Sequence, residues 1–165
     1  MTYKVLFLLF LVAMPVSAQT FSLEPLVDDH KLHIAPPSIQ SAMRTIEEID
    51  FKDCIRELNL NPTDQATYFS SLPIVLNNRG IHHYLVLPSA YCKAFFGAHA
   101  IAYWILQEDS ASNFTVLYRG RSDGFEILKS QTNGLFDLKS VYGFTFIVLQ
   151  YNGKEYGRTS SGEQR

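Results

Sequence analysis

Residues 114–153 read FTVLYRGRSDGFEILKSQTNGLFDLKSVYGFTFIVLQYNG, and this stretch decides the fold class. Three dipeptides punctuate it: Asp123-Gly124, Asn133-Gly134 and Asn152-Gly153. Both positions of such a pair tolerate positive φ, which the type I′ turn between two antiparallel strands requires. The residues between the turns are largely apolar, aromatic or β-branched, as strands favour. Strands are therefore predicted at 114–120, 125–130, 135–141 and 144–151, joined as an antiparallel meander. Phe125 and Ile127 alternate with more polar neighbours, as on a half-buried strand. The run from Phe144 to Tyr151 is apolar on both sides, which predicts a central strand covered on each face.

Working back from this stretch, further strands are expected at 73–76, 82–87 and 102–108. Before residue 72 the period is helical. Ser38 is a candidate N-cap, followed by Ile39, Ala42, Met43, Ile46 and Ile49 at helical spacing. The stripe then loses phase. Asp50 reads as a fresh N-cap, and Phe51, Cys54, Ile55 and Leu58 make a second apolar face. Two helices, or one kinked helix, should end before Asn61-Pro62, and Thr63-Asp64 can start one short turn more. Pro25, Asp28-Asp29 and Pro36-Pro37 break any period in residues 19–37, predicting extended or poorly ordered chain. The Ser, Gly and charge of residues 157–165 predict a flexible tail.

The first 18 residues have the layout of a secretory signal peptide: Lys4, an apolar run from Val5 to Met14, Pro15, then Val16-Ser17-Ala18 before Gln19. That run is shorter than the roughly 20 apolar residues of a membrane span. The expected mature chain starts at Gln19, outside the cytoplasm, and has no membrane span. Of the 14 cations and 16 acids in the whole chain, only Lys4 is removed with residues 1–18, leaving a formal −3. No clustered basic face of the kind that nucleic acid needs is visible. Two cysteines, Cys54 and Cys92, fit an oxidising compartment. A bridge between them would close a loop of about 39 residues and contribute ~4 kcal/mol by chain entropy. Two buried free thiols are the other reading.

Several short motifs recur in a fixed order. The segment from Ile74 to Val86 reads as strand, polar loop with Gly80, strand. Before it stands Cys54-Ile55, and after it come Cys92 with Gly97, then Trp104-Ile105. The run Thr132-Asn133-Gly134-Leu135-Phe136-Asp137-Leu138 follows, and then Tyr151-Asn152-Gly153-Lys154-Glu155-Tyr156. This order, over roughly residues 54–156, resembles small exported bacterial proteins of unassigned function. Their Asp-Leu-Asn-Gly-Asp-Gly loop is related in look to the calcium loops of FG-GAP-type repeats. The resemblance implies export and brings no activity with it. A hard cation needs several oxygen ligands, usually with carboxylates. Here Val75, Arg79 and His83 stand where the acids would be, and Asn77 and Asn78 are neutral, so the loop reads as a Gly-containing hairpin turn. The resemblance also implies a second cysteine shortly before Trp104, and none is present between His99 and Tyr103. Cys92 then pairs elsewhere or stays free, and the resemblance favours Cys54 as its partner.

Candidate chemistry is sparse. Adjacent strand residues face opposite ways, so His82 and His83 cannot join one metal site without a bulge, and with His99 they read as surface or loop histidines. No nucleophile elbow, metalloprotease pattern or phosphate loop occurs. Glu47-Glu48 reads as a solvated pair. The residues selected for binding are Tyr91, Lys93, Phe95, Phe96 and His99, in the loop 91–99, with Arg119 and Arg121 near a strand end. Aromatics, a cation and glycine between strands suit an interface anchor. Closure of the core by Phe95 and Phe96 is the commoner use of such residues.

The sequence thus predicts a single α+β domain over 38–156, with an N-terminal helical pair packed on a meandering antiparallel β-sheet. No cofactor or metal is implied. The leading expectation is a non-catalytic periplasmic or secreted protein that binds another envelope or extracellular protein, in the manner of an inhibitor or immunity protein. An envelope hydrolase or metal-dependent enzyme is the main alternative, and a structural envelope component the third.

Overall fold

The structure is a computed structural model. It describes residues 19–23, 33–59, 68–78, 81–88, 94–96 and 100–163. The described elements are β1 Gln19–Ser22, β2 His33–Ile34, α1 Pro37–Ile46, α2 Glu48–Glu57, β3 Phe69–Ile74, β4 His83–Pro88 and β5 Ile101–Glu108. They continue with β6 Phe114–Ser122, β7 Gly124–Thr132, β8 Leu135–Tyr142, β9 Thr145–Tyr151 and β10 Tyr156–Glu163. The fold is α+β and mainly antiparallel. The helical pair does not lead the chain, because β1 and β2 precede it.

The strands form two five-stranded sheets rather than one. The first has the order β2-β3-β4-β5-β6 and the second β1-β7-β8-β9-β10. Alternation along β5 explains the layering. Ile101, Tyr103 and Ile105 join the core between the sheets, with Leu85, Phe125, Leu138 and Leu149. Ala102, Trp104 and Leu106 join a second core under the helices, with Ile39, Met43, Phe51 and Val86. The molecule is thus helices on sheet on sheet. Gln40 ties α1 to β3 by donating from Nε2 to the Phe69 carbonyl at 2.6 Å. Between the sheets, the Tyr103 hydroxyl donates to Ser140 Oγ at 3.1 Å, and the Phe136 N–H donates to the Leu76 carbonyl at 2.8 Å.

Four expectations change. β5 is covered on both faces, and 144–151 is not. Phe144 precedes β9 and is 84 % exposed, and β9 is next to the edge strand β10. Its outward face is apolar for a local reason: Phe146 lies under the Lys139 ammonium at 4.8 Å and fills the space above Gly162. Asp123-Gly124 is not a hairpin turn. It carries the chain from one sheet to the other, and neither residue has positive φ. Gly124 is needed there for closeness, since a Cβ would stand 2.7 Å from the Phe21 carbonyl oxygen. Asn133-Gly134 does form the predicted turn, with φ of 51° and 84°. The tail from Gly157 is strand β10, paired from Tyr156↔Tyr151 to Glu163↔Thr145. An edge strand needs only its backbone to pair, and the Asn152 side chain fixes the turn by accepting from the Lys154 and Glu155 N–H groups. The helix break falls at Glu47, not near Asp50. Pro37 occupies the first helical position, so Ser38 is not the N-cap, and Asp50 sits in the first turn of α2.

The sheet edges are blunted. β1 and β2 have four and two residues, and β10 carries a register shift between Arg158 and Ser160. The β5/β6 pair is shifted between Ile105 and Leu106, and β6 carries Arg119 and Arg121. Short strands, bulges and cations all discourage pairing with another chain.

His83, at the start of β4, is 1 % exposed, while His82 beside it is exposed. Burial holds the His83 imidazole below the usual histidine range, against a smaller opposing contact with the Ile81 backbone. The unfolded chain takes up a proton near pH 6.5 and the buried ring does not, so acid favours the unfolded state. The ring's contribution to stability is intact above that pH and is lost as pH falls toward its lowered folded value. Urea unfolding at pH 7.5 and 5.5 should give a lower midpoint at pH 5.5, and His83→Leu should flatten the difference. Equal pH slopes in the two proteins would reject this role.

Candidate functional site

Of the loop selected from sequence, Tyr91, Cys92, Lys93 and His99 lie outside the described residues. Phe95 does not face solvent. It is buried, in edge-on contact with Phe69 and Trp104 at ring distances of 5.8 and 5.6 Å, and its carbonyl accepts the Ala102 N–H at 2.9 Å. Phe96 is half-buried and bridges Ile101. Arg121 donates to the Ala94 carbonyl. Cys54 is buried in the core under the helices, and no free cysteine occurs among the described residues. Among those residues no three His, Cys, Asp or Glu side chains are grouped to hold a metal ion.

Arg119 stands directly opposite Trp104 across the β5/β6 pair, so both side chains share the helix-facing side. Glu47, at the helix break, reaches down between them. Its Oε1 accepts the Trp104 indole N–H at 2.7 Å, and its Oε2 pairs with Arg119 Nη2 at 2.7 Å. The same guanidinium nitrogen meets Asp50 Oδ2 at 2.7 Å. Glu47 is therefore not solvated; it is 5 % exposed, whereas Glu48 is exposed and pairs with Lys52 along the helix. Burial raises the Glu47 carboxyl above the usual carboxylate range, opposed by the indole hydrogen bond and Arg119. An open depression of about 410 Å³ lies alongside, lined by Asp50, Asp53, Arg56, Glu57 and Ala94. Asp50 is paired with Arg119 and Asp53 with Arg56, so this surface is largely self-neutralised. With one carboxylate fixed by indole and guanidinium and the other by the same guanidinium, the arrangement is a latch between helices and sheet.

A second surface lies at the β8–β9 turn. Tyr142 and Phe144 flank Gly143 at the β8–β9 turn and are 55 % and 84 % exposed. The tip is braced. Asp123 Oδ2 accepts the Gly143 N–H at 2.5 Å, and Thr145 Oγ1 donates to the Tyr142 carbonyl at 2.9 Å. Beside it, a depression of about 380 Å³ runs over β1, β7 and β8, with Gly124 in its lining and Ser22, Asp123, Lys139 and Val141 around it. The pairing places this tip at the same end of the molecule as the described part of the predicted loop. Phe96 bridges Ile101, Ile101 pairs with Ser122, and the next residue, Asp123, holds Gly143. Arg121 is at this end too, but its guanidinium is engaged by Ala94.

Sequence reading missed Tyr142 and Phe144 because Phe144 continues an apolar run. The signal was Gly143, a glycine between two aromatics where a strand has no use for one. Comparison with protein-family models, curated proteins and solved structures finds no match.

The two adjacent glutamates give a sharp contrast. Glu47→Ala leaves the buried Trp104 N–H without its acceptor and should cost about 1–3 kcal/mol of unfolding free energy in urea titration. Glu48→Ala, on the exposed pair, should leave the midpoint unchanged. Equal effects of the two substitutions would mean that Glu47 is not the latch.

Proposed function

We propose that this chain is exported and binds another envelope or extracellular protein, without catalysis, through the Tyr142–Phe144 end. The observation that carries this reading is the pair of exposed aromatics on a turn fixed at both sides, by Asp123 and by Thr145. Aromatic side chains are enriched among the residues that dominate binding energy, and a turn already held in place loses little freedom on binding. The signal-peptide layout of residues 1–18 and the resemblance to small exported bacterial proteins support a periplasmic or secreted location. Among the described residues no helix is long and apolar enough to cross a membrane. An inhibitor or immunity-like task suits a small chain that presents a rigid aromatic turn.

Immobilised protein should capture a stoichiometric partner from envelope extract and hold it in EDTA. Tyr142→Ser and Phe144→Ser should each weaken that capture about tenfold or more while circular dichroism stays unchanged. Undiminished capture by both folded variants would reject this surface.

The same reading includes a Cys54–Cys92 bridge between the helical layer and the loop 91–99. Intact mass of the unreduced mature protein should be about 2 Da below that of the reduced form, with no thiol open to alkylation. Two alkylatable thiols would reject the bridge.

A further inference from the structure

We infer that the partner is recognised by a cationic side chain, an arginine, seated over Thr145 between Tyr142 and Glu163. This rests on the binding role proposed for the Tyr142–Phe144 end and names the chemistry that it takes.

Directly opposed residues of neighbouring strands point to the same side of a sheet. Tyr142 pairs with Thr145, and Thr145 pairs with Glu163. The three therefore form one row across β8, β9 and β10, with an aromatic ring at one end, a carboxylate at the other and a short hydroxyl side chain between. With strands roughly 4.8 Å apart, ring and carboxylate are spaced by about 10 Å at their backbones, room for one planar guanidinium. The row lies at the open end of the sheet, where all three residues are exposed. Phe144 stands in the turn beside the row and is 84 % exposed.

Charge selects the ligand. Asp123 and Glu163 bring two carboxylates to this end, and neither is in an ion pair with any described residue. Arg121, the cation nearest in sequence to Asp123, is turned to the Ala94 carbonyl. Lys139, on the outward face, is occupied by Glu126 and the Phe146 ring. Aromatic faces attract guanidinium groups, and the Glu163 carboxylate adds charge-assisted hydrogen bonds to the same group, while Asp123, with Oδ2 on Gly143 and Oδ1 buried, contributes charge alone. An anionic ligand would meet only repulsion from the two carboxylates. The formal −3 of the chain without residues 1–18 acts in the same direction over longer range.

The test uses the folded mature protein and two synthetic peptides, Gly-Arg-Gly-Arg-Gly and the same peptide with citrulline for arginine. Citrulline keeps the shape and removes the charge. Backbone amide shifts are followed in a titration. The arginine peptide should move Gly143, Phe144 and Thr145, and the citrulline peptide should not. Glu163→Gln, which leaves the Asp123 brace untouched, should weaken the arginine peptide about fivefold, and so should Phe144→Ser. Equal binding of both peptides, or binding indifferent to Glu163→Gln, overturns the inference. Native partner capture that depends on Phe144, together with no response to the arginine peptide, would retain the binding surface and reject the arginine. Loss of neither signal in Phe144→Ser would reject the surface itself.

Discussion

Ile101, Tyr103 and Ile105 point to one side of β5 and Ala102, Trp104 and Leu106 to the other, so covering one face of this strand leaves the other in water. Each large apolar side chain is worth about 1.5–3 kcal/mol when buried. A single sheet with one helical cover would forfeit half of that gain. The second sheet supplies the missing layer, and Asp123, between Ser122 and Gly124, carries the chain from β6 into it. The polar groups on β5's neighbours are placed to suit. Glu47 satisfies the indole of Trp104 on the helical side, and Ser140 accepts from Tyr103 on the other.

The same constraint explains where the candidate surface lies. With both faces of β5 committed, the first sheet has no free face over its centre, and its loop at 94–96 is drawn inward by Phe95. Freedom to present side chains passes to the second sheet, whose outward face is mixed and whose turn at 142–144 exposes two aromatic rings. That turn is not loose. It is fastened to Asp123, which links β6 of the first sheet to β7 of the second.

Much of the local structure is legible in the sequence, and its global arrangement is not. Asn133-Gly134 reads as a type I′ turn because its chemistry is local, and both residues adopt positive φ. The helical stripe of Ile39, Met43, Phe51 and Cys54 marks the buried face for the same reason. Asp123-Gly124 shares the turn chemistry, but the need it meets is a close approach by Phe21, a residue about a hundred positions away. The apolar run at 144–151 invites a central placement, yet apolar composition does not say whether a ring meets a second layer, a lysine or water. Glu47 looks like its neighbour Glu48, and only the register of Trp104 with Arg119 distinguishes them. The tail is strand because a backbone alone suffices beside β9, a condition that composition does not record.

The pairing of β1 sets an order of events. Gln19 lies against Ile127, 108 positions further along, while β2 to β6 and β7 to β10 each pair with strands adjacent in sequence. Contacts between near neighbours form sooner than those that close a long loop. On a chain made from its N-terminus, β1 is the first strand to exist, yet it has nowhere to bind until β7 has emerged. A strand near the start of the chain thus waits on one that lies more than halfway along it.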